Sequence, residues 1–494
     1  MPGLPGAGRD APLGLGAIRL CSPYIGHRLI PEPLLSDRTM SPTDYLNHHR
    51  ERNLEELSDF LRIPSVSAKS EHREDTRRAA EWLAERMLEA GLHMAEVIPT
   101  GGHPIVLGEW RGVPDGQTVL VYGHYDVQPA EPLDEWTSSP FEPEIRDGKL
   151  FARGSVDDKG QVYLHLKAVE AHLAHNGQLP VNVVFLVEGE EEVGSPHLAE
   201  FLESNAERLR CDGVLISDTT MFAEGIPAIT VGLRGLAYME VRVQGPSGDL
   251  HSGSYGGAIV NPANALAKII AQLHDEQGRV AIPGFYNEVR QLTSQEREGL
   301  RNLPYDEEKM REQTGAPSLG GEAGYTVLER LGARPTLDVN GLLSGYTGEG
   351  AKTVLPARAM AKISMRLVPD QDYHTIEKLF ADHVRRLAPE GVSVEVEALH
   401  GGFPWRAEPE GPLFEAATRA LESAYGRAPV HMREGGSIPI VRAFQETLGA
   451  PVVLIGFGLP GENAHAPNEW MSVDNFHRGA QAIALLYEEL RPAG

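Results

Sequence analysis

Four glutamates stand close together in the sequence, directly after an apolar stretch. Glu188 and Glu190–Glu192 follow the run Val181–Val187. Carboxylates are rarely buried in proteins, so a group of them at the end of a buried strand needs a partner that compensates their charge. Bound divalent cations are such a partner. The alternative interpretation is a helix that begins with acidic residues and is stabilised by its own dipole.

A histidine and an aspartate form a second candidate group. His124 and Asp126 are two residues apart on an extended segment, so their side chains point to the same face. A histidine that binds a metal usually donates its other ring N–H to a carboxylate, a backbone carbonyl or water, and Asp126 is one candidate for that partner. A surface His and Asp after a strand would leave the same pattern.

Three more groups have the same chemical character. Asp157 and Asp158 precede a helical pattern, where one aspartate can bridge two cations about 3.5–4 Å apart or simply cap a solvated turn. Asp218 follows another apolar run, and His465 lies in a loop that contains Gly and Asn. Four of these five groups come just after apolar runs, and together they favour a two-metal hydrolase.

The elements that must position these side chains alternate between strands and helices. The sequence predicts strands at 119–122, 181–187, 214–216 and 451–457, and helices at 43–62, 74–91 and 161–175. This alternation is typical of an α/β fold with a doubly wound, mostly parallel sheet. Such sheets place their sites at the carboxyl ends of the strands, where most of the candidate ligands fall.

From about residue 232 the apolar strand runs give way to segments in which apolar and polar residues alternate. Residues 239–243 and 361–367 alternate apolar with polar residues, as half-exposed antiparallel strands do. Helices are predicted at 261–277 and 373–387, and an irregular insertion at 278–345. We therefore expect residues 232–401 to form an inserted α+β lid or dimerisation domain, between the two parts of a catalytic domain at 40–231 and 402–494.

The composition of the chain disfavours several classes of function. The formal charge of −25 over 494 residues disfavours binding to nucleic acid and to anionic membranes. No apolar run reaches the ~18–20 residues of a membrane span. The two cysteines, Cys21 and Cys211, make a structural disulfide improbable and exclude a cysteine-rich zinc site, which favours the cytoplasm. Residues 1–39 hold six prolines and six glycines without periodicity, which predicts a disordered or spurious extension before Met40.

The motifs are similar to those of a known enzyme family. It is the family of two-zinc exopeptidases and amidohydrolases that contains carnosinase-type dipeptidases, aminoacylase, acetylornithine deacetylase and succinyl-diaminopimelate desuccinylase. The resemblance covers residues 43–491 and rests on GHYDVQP at 123–129, RGSVDDKG at 153–160, EGEEEVGS at 188–195, SD at 217–218, DLHSGSYGG at 249–257 and REGGSIP at 433–439. The dipeptidase branch is the most similar, through GAKTVLP at 350–356 and SMRLVPD at 364–370.

The resemblance implies roles for individual residues. One zinc would be held by His124 and Asp218, the second by Glu192 and His465, with Asp157 bridging both. Glu191 matches the family's general base and Asp126 its neighbouring aspartate. Two dications carry four positive charges, and three carboxylates with a bridging hydroxide would neutralise them. Manganese or cobalt fits the same carboxylate and imidazole ligands.

The implied mechanism is amide hydrolysis. The metal pair lowers the pKa of a bound water, the metal-bridged hydroxide attacks the amide carbon, and Glu191 moves the proton to the leaving amine. His251 matches the residue that stabilises the oxyanion, in many members from the other subunit of a homodimer. Arg366 matches a residue that binds the substrate's C-terminal carboxylate. Further substrate contacts are implied for Thr353, Ser437 and His400.

We therefore expect a cytoplasmic, dimeric metallopeptidase that cleaves dipeptides. An N-acyl amino acid deacylase or desuccinylase on the same scaffold is the nearest alternative. Its substrate carries an acyl group where a dipeptide has a free amino terminus. A non-catalytic, metal-stabilised binding protein is the remote alternative.

Overall fold

The computed structural model describes residues 40–435, 438 and 440–492. The extension predicted for residues 1–39 lies outside them. The helices are α1 (Pro42–His48), α2 (Arg50–Leu61), α3 (Arg73–Glu89), α4 (Lys159–Asn176), α5 (Leu198–Ser204), α6 (Ser252–Tyr255), α7 (Pro262–Ile270), α8 (Ser294–Arg301), α9 (Glu307–Thr314), α10 (Val327–Ala333), α11 (Tyr373–Leu387), α12 (Pro412–Tyr425), α13 (Ile440–Leu448) and α14 (Val473–Glu489). In this part of the chain, every helix is too short or too polar to span a lipid bilayer.

The strands fall into several sheets. They are β1 (Met94–Ile98), β2 (Ile105–Trp110), β3 (Thr118–His124), β4 (Glu144–Arg146), β5 (Lys149–Phe151), β6 (Asn182–Glu188), β7 (Gly213–Ile216), β8 (Ala228–Leu233), β9 (Gly235–Gln244), β10 (Leu250–His251), β11 (Thr336–Ser344), β12 (Val354–Leu355), β13 (Arg358–Leu367), β14 (Ser393–Gly402), β15 (Trp405–Arg406), β16 (Val430–Glu434), β17 (Val452–Leu454) and β18 (Trp470–Ser472). The chain divides into two compact units. Unit 1 comprises the described residues up to Thr220, Ala416–Arg427 and those from Phe457 onward, and unit 2 comprises Met221–Glu415 and Ala428–Gly456.

Unit 1 contains the strands that lead to the candidate ligands. Their order is β1-β2-β6-β3-β7, with β3 parallel to both β6 and β7 and with β2 antiparallel to β1 and β6. Every residue of β3 and of β6 is buried, as expected for apolar parallel strands that are covered on both faces. Helix α4 packs against α14, α1 and β3, and α3 packs against β1 and β2. The predicted α/β class is confirmed.

Unit 2 contains the antiparallel sheet that the alternating patterns predicted. Its strands are ordered β11-β13-β9-β14, and β13 alternates buried with less buried residues along its whole length. Alternate side chains of β9 and β13 form a core with α7 and α11, in which Ala361, Ile363 and Phe380 are completely buried. Strand β8 pairs in parallel with β16 and antiparallel with β15 and β17, and β10 pairs with β12 in a short ribbon.

The prediction of an irregular insertion at 278–345 was wrong. The structure contains helices α8, α9 and α10 and strand β11 there. Two of these helices begin with a capping box, formed by Thr293 with Glu296 and by Thr326 with Glu329. Helix α8 buries none of its residues, so an apolar periodicity cannot reveal it. The capping boxes were the available sequence signal.

Two predicted helices are shorter than expected. The segment predicted as one helix at 43–62 forms α1 and α2, which are separated by His49 in a non-helical conformation with φ −102° and ψ 21°. The helix predicted at 261–277 ends at Ile270, because the chain turns there and directs Leu273 into the core of unit 2. The remaining predicted elements lie within a few residues of those observed.

Candidate metal centre

The polar residues at the ends of β3, β6 and β7 lie at one edge of the sheet in unit 1. His124 ends β3 and is paired in register with Glu188 at the end of β6, while Tyr122 is paired with Ile216 at the end of β7. Asp218 follows β7 by two residues. Because the three strands are parallel, the residues that follow them meet at the carboxyl edge, where α/β sheets place their sites.

The structure brings the five predicted metal ligands together in two groups that share one residue. His124, Asp157 and Asp218 offer ligand atoms within 4.8 Å of one another, and so do Asp157, Glu192 and His465. The histidines of the two groups differ in burial, since the side chain of His124 is completely buried whereas that of His465 is 55% exposed. Asp157 is the member common to both groups.

Asp157 presents a different oxygen to each group. His124 Nε2 lies 3.1 Å from Asp157 Oδ1, and His465 Nε2 lies 2.8 Å from Asp157 Oδ2 and 3.2 Å from Glu192 Oε2. Ligand atoms about 2.0–2.1 Å from a common tetrahedral centre lie about 3.3 Å apart, so these separations suit ligands of one cation. A carboxylate with one oxygen directed to each group has the arrangement of a bridging ligand.

Charge in this centre is out of balance without cations. Burial, and then the neighbouring carboxylates, raise the pKa of Asp218 well above its ordinary value. Burial disfavours the charged imidazolium of His124, yet hydrogen bonds to Asp126 and Asp157 raise its pKa. Hydrogen bonds to Asp157 and Glu192 raise the pKa of His465 to about 11. Each shift favours a positive or neutral form, so the centre stabilises added positive charge.

A divalent cation fits the donor set. Glu192 Oε1 is buried and has no hydrogen-bond partner among the described residues, so it is a buried acceptor that a cation would satisfy. Its other oxygen accepts a 2.7 Å hydrogen bond from Gln128 Nε2, which orients the carboxylate. The donors are imidazole nitrogens and carboxylate oxygens, a combination that zinc and neighbouring divalent ions prefer.

Asp126 connects the end of β3, where His124 lies, to the turn Glu191–Val193. Its backbone carbonyl oxygen lies 3.0 Å from His124 Nδ1, and its Oδ1 lies 3.4 Å from the same nitrogen. Its carboxylate also accepts hydrogen bonds from the backbone N–H groups of Glu191 at 3.3 Å and Glu192 at 3.2 Å. Asp126 therefore orients the ring of His124 and holds the turn Glu191–Val193 in place.

Glu191 is the predicted general base, and it lies in a water-poor setting. Burial raises the pKa of its carboxyl well above the ordinary value, and the carboxylates of Asp218, Glu192 and Asp157 raise it further, while His124 lowers it. A group in such surroundings can accept and release a proton near neutral pH once cations offset part of the repulsion. Glu190 points elsewhere, since its carboxylate lies 2.7 Å from His197 Nδ1.

The loop that carries His465 has an unusual backbone. Asn463, His465 and Asn468 all have positive φ, near 60°, which costs about 1–2 kcal/mol for a residue with a side chain. The buried carboxylate of Glu462 accepts hydrogen bonds from the backbone N–H groups of Leu459 and Ser472, both at the base of the loop. These contacts hold the loop in a conformation that directs His465 toward Asp157.

Two predicted substrate residues share one face of the sheet in unit 2. Arg366 of β13 is paired in register with Leu236 of β9, and His400 of β14 is paired with Tyr238 of β9. The rings of Tyr238 and His400 are 5.0 Å apart. Leu236 and Tyr238 alternate with buried residues, so both point away from the core, and Arg366 and His400 lie beside them.

The other predicted residues of unit 2 lie in the β10–β12 ribbon or beyond the described chain. His251 is paired in register with Val354, next to Thr353, whose carbonyl oxygen accepts the N–H of Ser252 at 3.1 Å. His251 and Thr353 are both exposed. Ser437 lies outside the described residues.

Some residues that contact the predicted ones within each unit did not emerge from the sequence. Gln128 follows His124 by four residues within the same motif, and this proximity was the only available signal. Tyr238 falls at an outward position of an alternating strand, which most often means a solvent-facing side chain. Glu469 contacts the Asp157 loop across more than 300 residues of sequence, and its charge gave no sign of that contact.

Comparison with known proteins gives one consistent result. Residues 120–489 match the family model described as peptidase family M20/M25/M40. A Cys-Gly metallodipeptidase of Schizosaccharomyces pombe is 35% identical over 88% of this chain and 94% of its own length. The human Beta-Ala-His dipeptidase is 32% identical over 93% of this chain and 94% of its own. The crystal structure of human carnosine dipeptidase 1 has a TM-score of 0.81 at 30% identity and covers 94% of this chain and 100% of that chain.

Proposed function

Because this chain belongs to peptidase family M20/M25/M40, we propose that it is a metal-dependent dipeptidase that hydrolyses the amide bond of small peptides with a free carboxylate. The observation that carries the proposal is the pair of ligand groups joined by Asp157, with Glu191 beside them. We assign His124, Asp157, Glu192, Asp218 and His465 as ligands of two divalent cations. Zinc is the proposed metal, and manganese or cobalt would fit the same donors.

Glu191 is the proposed general acid and base. Bound divalent cations would supply a Lewis acid that polarises the amide carbonyl and acidifies a water molecule. Glu191 accepts a proton from the attacking water as the water oxygen bonds to the amide carbon, and it delivers that proton to the amide nitrogen as the carbon–nitrogen bond breaks. Asp126 supports this role, because its hydrogen bonds to the N–H groups of Glu191 and Glu192 fix the turn that carries the base.

His251 is the proposed donor to the developing oxyanion. Its Nδ1 accepts the backbone N–H of Gly253 at 3.1 Å. In a neutral imidazole one nitrogen accepts and the other donates, so this contact places the proton on Nε2. The exposed Nε2–H is then free to donate to a substrate oxygen.

We propose that Arg366 recognises the carboxylate of the substrate, with His400, Thr353 and Ser437 as neighbouring contacts. Replacing Arg366 by alanine is expected to raise KM about 100-fold for a free dipeptide and to change it little for the C-terminally amidated peptide, because a charged hydrogen-bonded pair contributes about 1.5–3 kcal/mol. Steady-state kinetics on the matched pair of substrates measures the difference. Arg358→Ala, on the same strand but hydrogen-bonded to Gln244, is the control. Equal losses on both substrates would remove the proposed role.

The function is tested by turnover on a small set of substrates. Free dipeptides are compared with N-acetyl and N-succinyl amino acids by mass spectrometry, in buffered zinc and in manganese. Cleavage of the dipeptides supports the proposal. Activity on the acylated amino acids alone would reassign the chain to a deacylase, and silence on all substrates with two cations bound would point to a metal-stabilised binding protein.

We also propose that the chain forms a homodimer through unit 2 and that the inserted domain is residues 232–401. Strand β11 is at the edge of its sheet among the described strands, and it exposes Leu342 by 63% and Leu343 by 58%. Exposed apolar residues on an edge strand are typical of a strand-pairing interface. His251 would then act in its own subunit or in the partner.

Replacing Leu342 and Leu343 by glutamate is expected to convert the dimer to a monomer, because it places charges in the paired edge. Light scattering after size-exclusion chromatography measures the mass. Leu133→Glu changes a leucine that is 57% exposed in unit 1, and it is expected to leave the mass unchanged. A double variant with the wild-type mass would exclude this strand as the interface.

A cytoplasmic location is part of the proposal. Within the described residues Cys211 is a free thiol, and a sequence of 494 residues with two cysteines is typical of proteins that work in a reducing compartment.

A further inference from the structure

A buried carboxylate lies next to the bridging aspartate. The side chain of Glu469 is completely buried, and its two oxygens accept four hydrogen bonds. Oε1 accepts the backbone N–H groups of Val156 at 3.0 Å and Asp157 at 3.2 Å, and Oε2 accepts the N–H of Gly154 at 3.0 Å. Three N–H groups that converge on one carboxylate fix the backbone of the loop that ends in Asp157.

The fourth donor is Arg153, which extends the contact to a third loop. Its Nη1 lies 2.7 Å from Glu469 Oε2, its Nη2 donates to the carbonyl oxygen of Pro129 at 3.1 Å, and its side chain is 1% exposed. Pro129 follows His124 by five residues. The ion pair therefore connects the loop after β3 with the loop that carries Asp157.

Glu469 itself belongs to the segment that carries His465. It follows His465 by four residues, and its own carbonyl oxygen accepts the N–H of Ala152 at 3.1 Å. Next to it, Asn468 accepts the N–H of Thr137 and donates to the carbonyl oxygen of Glu135, each at 2.8 Å. One residue thus lies between the segments of two ligands that must approach the same cation.

We propose that Glu469 is a positioning residue that sets the separation between Asp157 and His465 and thereby the affinity for divalent cations. The inference rests on the metal centre of the proposed function. Without this carboxylate, the N–H groups of Gly154, Val156 and Asp157 would lose their acceptor, and the guanidinium of Arg153 would remain buried without its counter-ion. The loop would then relax, and Asp157 would no longer present one oxygen to each ligand group.

The test is the affinity for Zn²⁺ alone, measured by equilibrium dialysis against a buffered series of Zn²⁺ concentrations. Glu469→Gln keeps the shape but loses the charge, and Glu469→Asp keeps the charge but withdraws it from the N–H groups. Each is expected to weaken Zn²⁺ binding about 10- to 100-fold, as the loss of partners of metal ligands does. If the glutamine variant does not fold, the aspartate variant decides alone.

A matched control separates positioning from general stability. Glu329 in unit 2 is also completely buried, and it accepts Arg297 Nε at 2.6 Å and the N–H of Thr326 at 2.8 Å. Glu329→Gln is expected to lower the melting temperature and to leave Zn²⁺ affinity unchanged. Native Zn²⁺ affinity in the Glu469 variants, or an equal loss in the control, overturns the inference. Failure of the wild-type chain to bind Zn²⁺ would instead contradict the proposed metal centre.

Discussion

Replacement of Glu191 by alanine is expected to lower kcat for dipeptide hydrolysis about 10³-fold while the bound metal stays at the wild-type level. A positioned acid or base contributes about 10²–10⁴-fold to a rate, and Glu191 is the carboxylate proposed for both proton transfers. The metal should remain because the proposed ligand atoms belong to other residues. Steady-state kinetics and elemental analysis of the same preparation measure the two quantities.

The neighbouring residue supplies the control for this variant. Glu190→Gln removes an adjacent negative charge, but the carboxylate of Glu190 interacts with His197 and not with the ligand groups. Its kcat is expected to stay within about threefold of the wild type, in contrast to the loss that removal of a proton-transfer group causes. If Glu191→Ala keeps more than about a tenth of the wild-type rate, Glu191 is not the general base.

Replacement of Asp157 by alanine is expected to have the largest effect on metal binding. Asp157 directs one oxygen to His124 and the other to His465, so its loss removes a ligand from both groups. We expect Zn²⁺ affinity to fall by more than about 100-fold, and activity to be lost with it. This loss exceeds the usual effect of removing a residue that only hydrogen-bonds to a metal ligand. The stabilisation by bound Zn²⁺, about 2.7 kcal/mol when free Zn²⁺ is 100 times Kd, should disappear as well.

Thermal unfolding with and without Zn²⁺ measures this loss. The melting temperature of the wild type should rise on addition of Zn²⁺, and that of Asp157→Ala should not. Asp212→Asn is the control, because Asp212 accepts the N–H of Thr118 at 2.7 Å at the opposite end of β3 from His124. A Zn²⁺-dependent rise in the Asp157 variant equal to that of the wild type would exclude a bridging role.

The sequence predicted the part of the molecule that follows from short-range patterns. The apolar runs that became β3, β6 and β7 are buried strands, and their polar ends are adjacent because parallel strands end at one edge. The roles of Glu191, Glu192 and the other candidate residues stay predictions, although the structure brings the proposed ligands together.

The features of the fold and of the site that were not predicted lack a short-range sequence pattern. Helix α8 contains a single large apolar residue, Leu300, so periodicity gave no sign of it. Arg153 and Glu469 are 316 residues apart, and only the tertiary fold pairs them. The contact between Tyr238 and His400 could not be predicted either, because an outward position on a strand does not reveal which strand will lie beside it.

The burial of helix α4 has a consequence for the choice of metal. The helix begins two residues after Asp157 and is buried from Lys159 to His172 apart from Glu170. A ligand at the start of a core helix moves only if the core moves, so the spacing of its oxygens is preorganised before any ion arrives. A bridging carboxylate held in this way suits metal–ligand bonds of about 2.0–2.2 Å and resists expansion to the 2.3–2.6 Å that Ca²⁺ requires. Discrimination against calcium would then arise from the packing of the hydrophobic core as well as from the imidazole ligands.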